Sequence, residues 1–351
     1  MLQALELQHI RSYADGLFEF AEGVNIIVGP NASGKTNLLE AIHMSAQGVS
    51  FKSGDDDMIA RGAQWGRIDA RYSDYIRSVK LKAEPVSKDF VVDDIEKKRF
   101  PTEALVPIVL FEPGHMLLIS GEPERRRSYI DGILTQVEPG FKKLLAAYKR
   151  TLLQRNRLLK QEHVSPEHLF VWDLRLSELA GVLVARRAAY VDLVNKQLTG
   201  SYRSVSGNDE LLEAVYDAKL PIEGYTQAHL QKLKADFALD RARGFTGSGP
   251  HREDIRFFLN GSDASLSASR GETRSIILAL KIVELAIVRE KSPTAPMLLL
   301  DDVFSELDGK RRRMLAQTLQ HTQTFITTTD ADAIVKSFMQ NYNVITMESG
   351  S

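Results

Sequence analysis

The chain has 351 residues, 43% of them hydrophobic, with 45 Lys and Arg against 46 Asp and Glu, for a formal net charge of -1. This length fills two or three folded units and excludes a disordered chain, and the near-neutral balance means that any basic surface must be local. The absence of cysteine excludes disulfides and thiolate-held zinc, and no apolar run approaches the ~20 residues that cross a bilayer, so a cytoplasmic protein with no membrane partner is expected.

In chain order, the run Val24-Asn25-Ile26-Ile27-Val28 reads as a buried strand, and Asn37-Leu38-Leu39-Glu40-Ala41-Ile42-His43-Met44 reads as a helix. Between them, Gly29-Pro30-Asn31-Ala32-Ser33-Gly34-Lys35-Thr36 satisfies the phosphate-binding loop pattern in the strand-to-helix context it requires. Glycines let the backbone curl so that successive N–H groups and the positive end of the helix point at phosphates. Lys35 adds a charge to the β- and γ-phosphates, and the Thr36 hydroxyl supplies a ligand to magnesium. ATP and Mg2+ are the expected cofactors.

Alternating segments at Ile68-Asp69-Ala70-Arg71-Tyr72 and Val79-Lys80-Leu81-Lys82, followed by the apolar run Val106 to Phe111, extend this half with antiparallel strands. The period then changes. Phe141, Leu144, Leu145, Tyr148 and Leu152 share one helical face, and Leu169, Trp172, Leu176, Leu179 and Leu183 keep a three-four spacing. The breaks at Glu138-Pro139-Gly140 and Ser165-Pro166 predict antiparallel-packed helices of ordinary length. After Gly247-Ser248-Gly249-Pro250 the chain returns to a strand at Ile255–Leu259, an Asn260-Gly261 turn, a long helix around Ile276 to Val288, and the apolar strand Met297-Leu298-Leu299-Leu300.

That last strand runs into Asp301 and Asp302, delivering two carboxylates to a sheet edge where ligands of α/β folds collect. Asp301 is expected to hold magnesium through water, and Asp302 to orient or deprotonate the attacking water. Lys35 and Asp302 are thus the catalytic pair. Ser269-Arg270-Gly271-Glu272 resembles the signature motif of ABC-type ATPases, in which a Ser and a Gly at a helix N-terminus bind the γ-phosphate held by a neighbouring subunit. A simple helix cap would use the same residues. Ser305 and Asp308 stand where this class carries its D-loop, and Thr329 where ABC transporters usually carry a switch histidine. The fold class expected is α/β: an ABC-type P-loop ATPase lobe, a mixed sheet with an antiparallel extension, built from residues 1–120 and 237–351, plus an inserted α-helical lobe over 121–236.

The ordered set Ile10-Arg11-Ser12-Tyr13, Lys35 to Ile42, Gly48-Val49-Ser50-Phe51, Gly121 to Arg127, Gly249-Pro250-His251-Arg252-Glu253-Asp254, the Ser269 signature and Leu299 to Val303 resembles the RecF family, bacterial recombination mediators related to the SMC-type ATPases, along essentially the whole chain. The resemblance implies that Arg11 and Asn37 join the ATP site. It implies an ATP-dependent homodimer that acts as a clamp on gapped, single- and double-stranded DNA and works with RecR and RecO in loading a recombinase, with slow, DNA-dependent ATP hydrolysis. Two other functions stay open: the nucleotide-binding subunit of an ABC transporter, and a P-loop phosphotransferase. Thr329 in place of histidine stands against the first, and the self-complementary signature has no role in the second.

Residues 121–161 hold ten Lys or Arg against four acids. Clustered cations of this kind suit tracking of a DNA backbone, for which Lys142, Lys143, Lys149 and Arg150 are the candidates, although an ordinary solvated helix face has the same composition.

Overall fold

The computed structural model describes residues 1–100, 104–304, 307–319, 322–330 and 342–348. The chain divides into two compact units, Met1–His115 with Leu285–Ser351, and Met116–Glu284.

The first unit begins with β1 (Leu2–Ile10) and β2 (Tyr13–Glu19), joined by a tight turn. Strand β3 (Val24–Val28) leaves this sheet and leads through the phosphate loop into α1 (Lys35–Gln47). Strands β4 (Trp65–Tyr72), β5 (Ile76–Lys82), β6 (Ser87–Val92) and β7 (Ile95–Lys97) complete an antiparallel sheet of order β2-β1-β4-β5-β6-β7, and β8 (Ile108–Phe111) follows. The alternation seen in the sequence is the alternation of burial: Leu5, Leu7, Ile68, Ala70 and Val79 face inward. They meet Leu38, Leu39, Ala41, Ile42 and Met44 of α1 in one core, so the helix that carries the phosphate loop is clamped by its apolar faces.

The second unit contains α2 (Leu117–Ser120), α3 (Pro123–Val137), α4 (Phe141–Leu159), α5 (Pro166–Ser206), β9 (Leu212–Asp217), α6 (Tyr225–Ala235), α7 (Phe237–Arg243), β10 (Asp254–Leu259), β11 (Ser262–Asp263) and α8 (Ala264–Ser267). Helix α9 (Arg270–Lys291) starts here and carries the chain past the boundary at Glu284. Leu169, Leu176, Leu179 and Leu183 are buried as their spacing predicts. Helix α5 is not of ordinary length, however: it runs 41 residues, about 60 Å at 1.5 Å per residue. No proline follows Pro166 within it, and Gly181 marks the crossing of α6, where a Cβ would stand 2.2 Å from Thr226 Oγ1.

The expected boundary at residue 236 also shifts, because β9 pairs antiparallel with β10, from Leu212 opposite Leu259 to Asp217 opposite Asp254. Residues 237–284 therefore fold with the second unit, which carries a three-stranded sheet beside its helices. Side chains of α5 bond the outer edge of β9: Asn195 exchanges two hydrogen bonds with the backbone of Ala214 at 2.7 and 2.8 Å, and Thr199 does the same at Leu212. A strand edge is satisfied here by two residues one helical turn apart.

Back in the first unit, β12 (Met297–Leu300), α10 (Gly309–Thr318), β13 (Thr324–Thr328) and β14 (Tyr342–Thr346) finish a parallel sheet of order β14-β3-β13-β12-β8. Strands separated by hundreds of residues become neighbours. Val28 lies opposite Thr328, and Leu300 opposite Ile326, so the ends of β3, β12 and β13 converge on one edge.

Candidate ATP site

The phosphate loop is shaped by its glycines. Gly34 has φ +94 and closes the loop at the N-terminus of α1, and a Cβ on Gly29 would lie 2.6 Å from Ser33 Oγ and 2.8 Å from the Met347 carbonyl. Ala32 also takes a left-handed conformation, φ +66. Lys35 is buried, and its ammonium donates to the carbonyls of Gly29 and Pro30, both at 2.9 Å. Ser33 Oγ is buried with no hydrogen-bond partner among the described residues. A buried cation folded back on its own loop and an orphaned hydroxyl beside it are what an anion-binding cradle offers, so these residues fit a nucleotide phosphate.

The two acids arrive as the sequence predicts. Thr36 donates its hydroxyl to Asp301, with Oδ1 at 2.9 Å and Oδ2 at 3.1 Å, joining residues 265 apart in the chain. Asp302 adopts φ +56. Desolvation pushes its carboxyl above the ordinary aspartate range and Asp301 adds to this, while Lys35 opposes it. Asn37 Nδ2 donates to Ser12 Oγ at 3.0 Å, and Tyr13 donates its hydroxyl to the Gly34 carbonyl at 3.0 Å, so the β1–β2 turn braces the loop. Arg11, in that turn, pairs with Glu40 of α1. Thr329 follows the end of β13 and is exposed. The sequence reading missed Thr327, whose hydroxyl bonds Asp301 and Asp302 together.

In the second unit, the signature residues open α9. Ser269 N–H donates to Glu272 Oε2 at 2.7 Å, and Glu272 N–H donates to Ser269 Oγ at 3.3 Å, a reciprocal cap that also holds the Glu272 carboxyl below its usual range. Ser269, Arg270 and Gly271 are exposed. Among the described residues, a Cβ on Gly271 would stand 4.0 Å from Ser269 Oγ, and glycine in a helix costs about 1 kcal/mol against alanine. Of the D-loop pair, Asp308 caps α10 by accepting from Arg311 N–H at 2.9 Å, and Ser305 lies outside the described residues.

The basic segment separates into two populations. Arg126 pairs with Asp254 at 2.8 Å, Arg155, with no exposed surface, bonds Asp173 and Asp240 at 2.6 and 2.7 Å, and Arg127 donates to the Glu253 carbonyl at 2.6 Å. These three are structural. Lys142, Lys143, Lys149 and Arg150 are exposed on α4, and none of them stands within ion-pair distance of a carboxylate among the described residues. The segment Gly249–Asp254 is structural as well. Arg187 donates to the Pro250 carbonyl at 2.7 Å, Tyr148 pairs with His251 at 2.7 Å, and the buried Glu253 accepts from the hydroxyls of Tyr216 and Tyr225 at 2.6 Å each.

A family model described as an AAA domain matches residues 4–106. The DNA replication and repair protein RecF of Halalkalibacterium halodurans is 33% identical over 368 aligned residues, covering 100% of this chain and 98% of that protein. The protein of the same description from Symbiobacterium thermophilum is 34% identical over 100% of this chain and 97% of its own length. Among solved structures, RecF-ATPrS, described as a recombination mediator protein in the RecFOR pathway, superposes with a TM-score of 0.86 at 30% identity, over 95% of this chain and 94% of that one. An SMC head bound to the C-winged helix domain of ScpA shares the fold, with a TM-score of 0.56 at 15% identity over 98% of this chain and 93% of that one.

The two sheets of the first unit, the phosphate loop and the acid-tipped β12 define a P-loop ATPase fold, one shared with an SMC head. Within that class the chain belongs to the RecF family of DNA replication and repair proteins.

Proposed function

We propose that this chain is an ATP-driven DNA clamp of recombinational repair, in which two copies sandwich two ATP molecules on gapped DNA. One observation carries the reading: Ser269, Arg270 and Gly271, at the reciprocally capped start of α9, are exposed. A phosphate held by a second subunit's loop is the ligand this helix end suits. Lys35, Ser33 and the loop amides bind the β- and γ-phosphates, and Arg11, Asn37 and Thr329 border the nucleotide. Among the described residues there is no cluster of three or more His, Cys, Asp or Glu. Thr36 and Asp301 would hold Mg2+, which commonly keeps waters and takes phosphate oxygens as its other ligands.

Asp302 orients the attacking water. An aspartate reaches one methylene less far than the glutamate usual in ABC ATPases, which supports slow hydrolysis that times release from DNA. Lys142, Lys143, Lys149 and Arg150 supply a DNA-tracking face. RecR and RecO are the protein partners in this reading. No helix of the described residues is long and apolar enough to cross a membrane, and the reading places the chain in the cytoplasm. Measuring mass in solution with and without ATP and gapped DNA tests the proposal: doubling with ATP is expected, and a monomer under every condition would overturn it.

A further inference from the structure

Thr327 stands near the end of β13, the strand between β3 and β12, and has no exposed surface. Its hydroxyl donates to Asp301 Oδ1 at 2.9 Å and accepts from the backbone N–H of Asp302, also at 2.9 Å. The Leu300 carbonyl, at 3.4 Å, is the weaker acceptor for the same proton. One side chain thus aims the carboxylate that already receives Thr36 and ties down the amide of a residue held at φ +56. A non-glycine residue in that conformation persists only where its surroundings fix it.

Strand formation does not account for the hydroxyl. Valine has the same shape and suits a central parallel strand equally well. The neighbouring threonines of β13 spend their hydroxyls locally, Thr324 on the Thr322 carbonyl and Thr328 on that of Asp330. Thr327 alone of the three reaches across to β12.

We infer that Thr327 is a positioning residue for ATP hydrolysis: through one hydroxyl it sets Asp301 for the metal and Asp302 for the water. This rests on the proposed hydrolytic role of the two acids. Removing the hydroxyl leaves the phosphate loop intact, so chemistry should suffer and ATP binding should not.

The test compares turnover and equilibrium ATP affinity in the full-length protein for Thr327→Val and Thr327→Ser, each alone and combined with Asp302→Asn. Thr327→Val is expected to lower kcat by roughly 10- to 100-fold, the scale of a misplaced catalytic group, with the dissociation constant for ATP within about threefold of the unaltered protein. Thr327→Ser should restore turnover. In the Asp302→Asn background the valine should cause a smaller further loss than it does alone, because only its hold on Asp301 is then left to lose. Unchanged turnover in Thr327→Val, parallel losses of turnover and affinity, or the same fold loss on top of Asp302→Asn would each overturn the inference. Absence of hydrolysis by the unaltered protein would instead bring down the hydrolytic reading, and this inference with it. Should the valine variant fail to fold, Thr327→Cys, a weak donor of similar size, carries the same comparison with the same deciding outcomes.

Discussion

Glu40, with no exposed surface, receives both Nε of Arg11 at 3.1 Å and Nη2 at 2.8 Å, so the turn between β1 and β2 is locked to the helix behind the phosphate loop. Ser50 donates its hydroxyl to the same carboxylate at 2.6 Å. Arg11 itself sits at φ +53, a backbone state that the ion pair helps to hold. The arginine expected from the family resemblance to touch ATP is therefore fixed by a residue of α1.

Glu40→Ala should lower stability by about 1–2 kcal/mol, since Arg11, partly exposed, loses two charged hydrogen bonds to a buried acceptor. Arg11→Lys should destabilise too, because an ammonium cannot match the two-pronged contact. Urea unfolding checks both. A midpoint unmoved in Glu40→Ala would show that the pair contributes nothing to holding the turn.

Lys35→Ala removes a buried cation from the phosphate cradle and should weaken ATP binding by about 10²-fold, the scale of a lost charged hydrogen bond, and abolish nucleotide-dependent dimerisation. Ser269→Arg should behave differently. It should spare ATP binding by the monomer and block the dimer, because the start of α9 is proposed to act on the other subunit's nucleotide. Titration of a fluorescent ATP analogue alongside light scattering separates the two. Loss of monomer affinity in Ser269→Arg would place the signature in its own subunit's site.

The phosphate loop and the Asp301-Asp302 pair were legible because their chemistry is written in contiguous residues, strand then glycines or strand then acids. Thr327 was not. In the run Thr327-Thr328-Thr329 the sequence directs attention to Thr329, whereas Thr327 is the one that bonds Asp301 and Asp302, a choice set by the pairing of β13 with β12 and β3. Sorting the cation cluster needs the same long-range pairing. Arg126 and Arg155 look like surface charges until Asp254 and Asp240, 128 and 85 residues away, are brought to them. The length of α5 is set by residues well past its first turns, and the pairing of β9 with β10 leaves no mark in a change of period.

The second unit should lose stability in mild acid. Burial pushes the imidazoles of His229 and His251 down to about 4. Each directs Nε2 at a carbonyl, Ser248 at 3.3 Å and Thr246 at 3.1 Å, so Nε2 carries the proton and Nδ1 accepts from Ser177 or Tyr148. In the unfolded chain both protonate near about 6.5. Between these values the unfolded state binds more protons, so the stability is present above about pH 6.5 and is lost as pH falls toward 4, by about 2 kcal/mol per histidine between pH 7 and 5. Denaturant midpoints across that range, compared with those of His229→Gln combined with His251→Gln, measure the effect. An equal slope in the double variant would assign the acid sensitivity to other groups.

The exposed face of α4 carries the last expectation. If Lys142, Lys143, Lys149 and Arg150 contact phosphates, reversing their charges should weaken DNA binding uniformly across sequences and flatten the dependence of log affinity on log salt by ~0.9 per lost duplex contact. Stability should change little, because these four side chains are exposed and engage no carboxylate among the described residues. Reversing Arg155 instead should unfold the unit, since that guanidinium is enclosed by Asp173, Asp240 and Thr246 and a carboxylate there would face two others. ATP affinity should be the same in the α4 variant as in the unaltered protein, because the phosphate loop belongs to the other unit. Binding isotherms at several salt concentrations decide the matter. A slope unchanged by charge reversal would make α4 an ordinary solvated helix and send the search for the DNA path to the strands of the first unit.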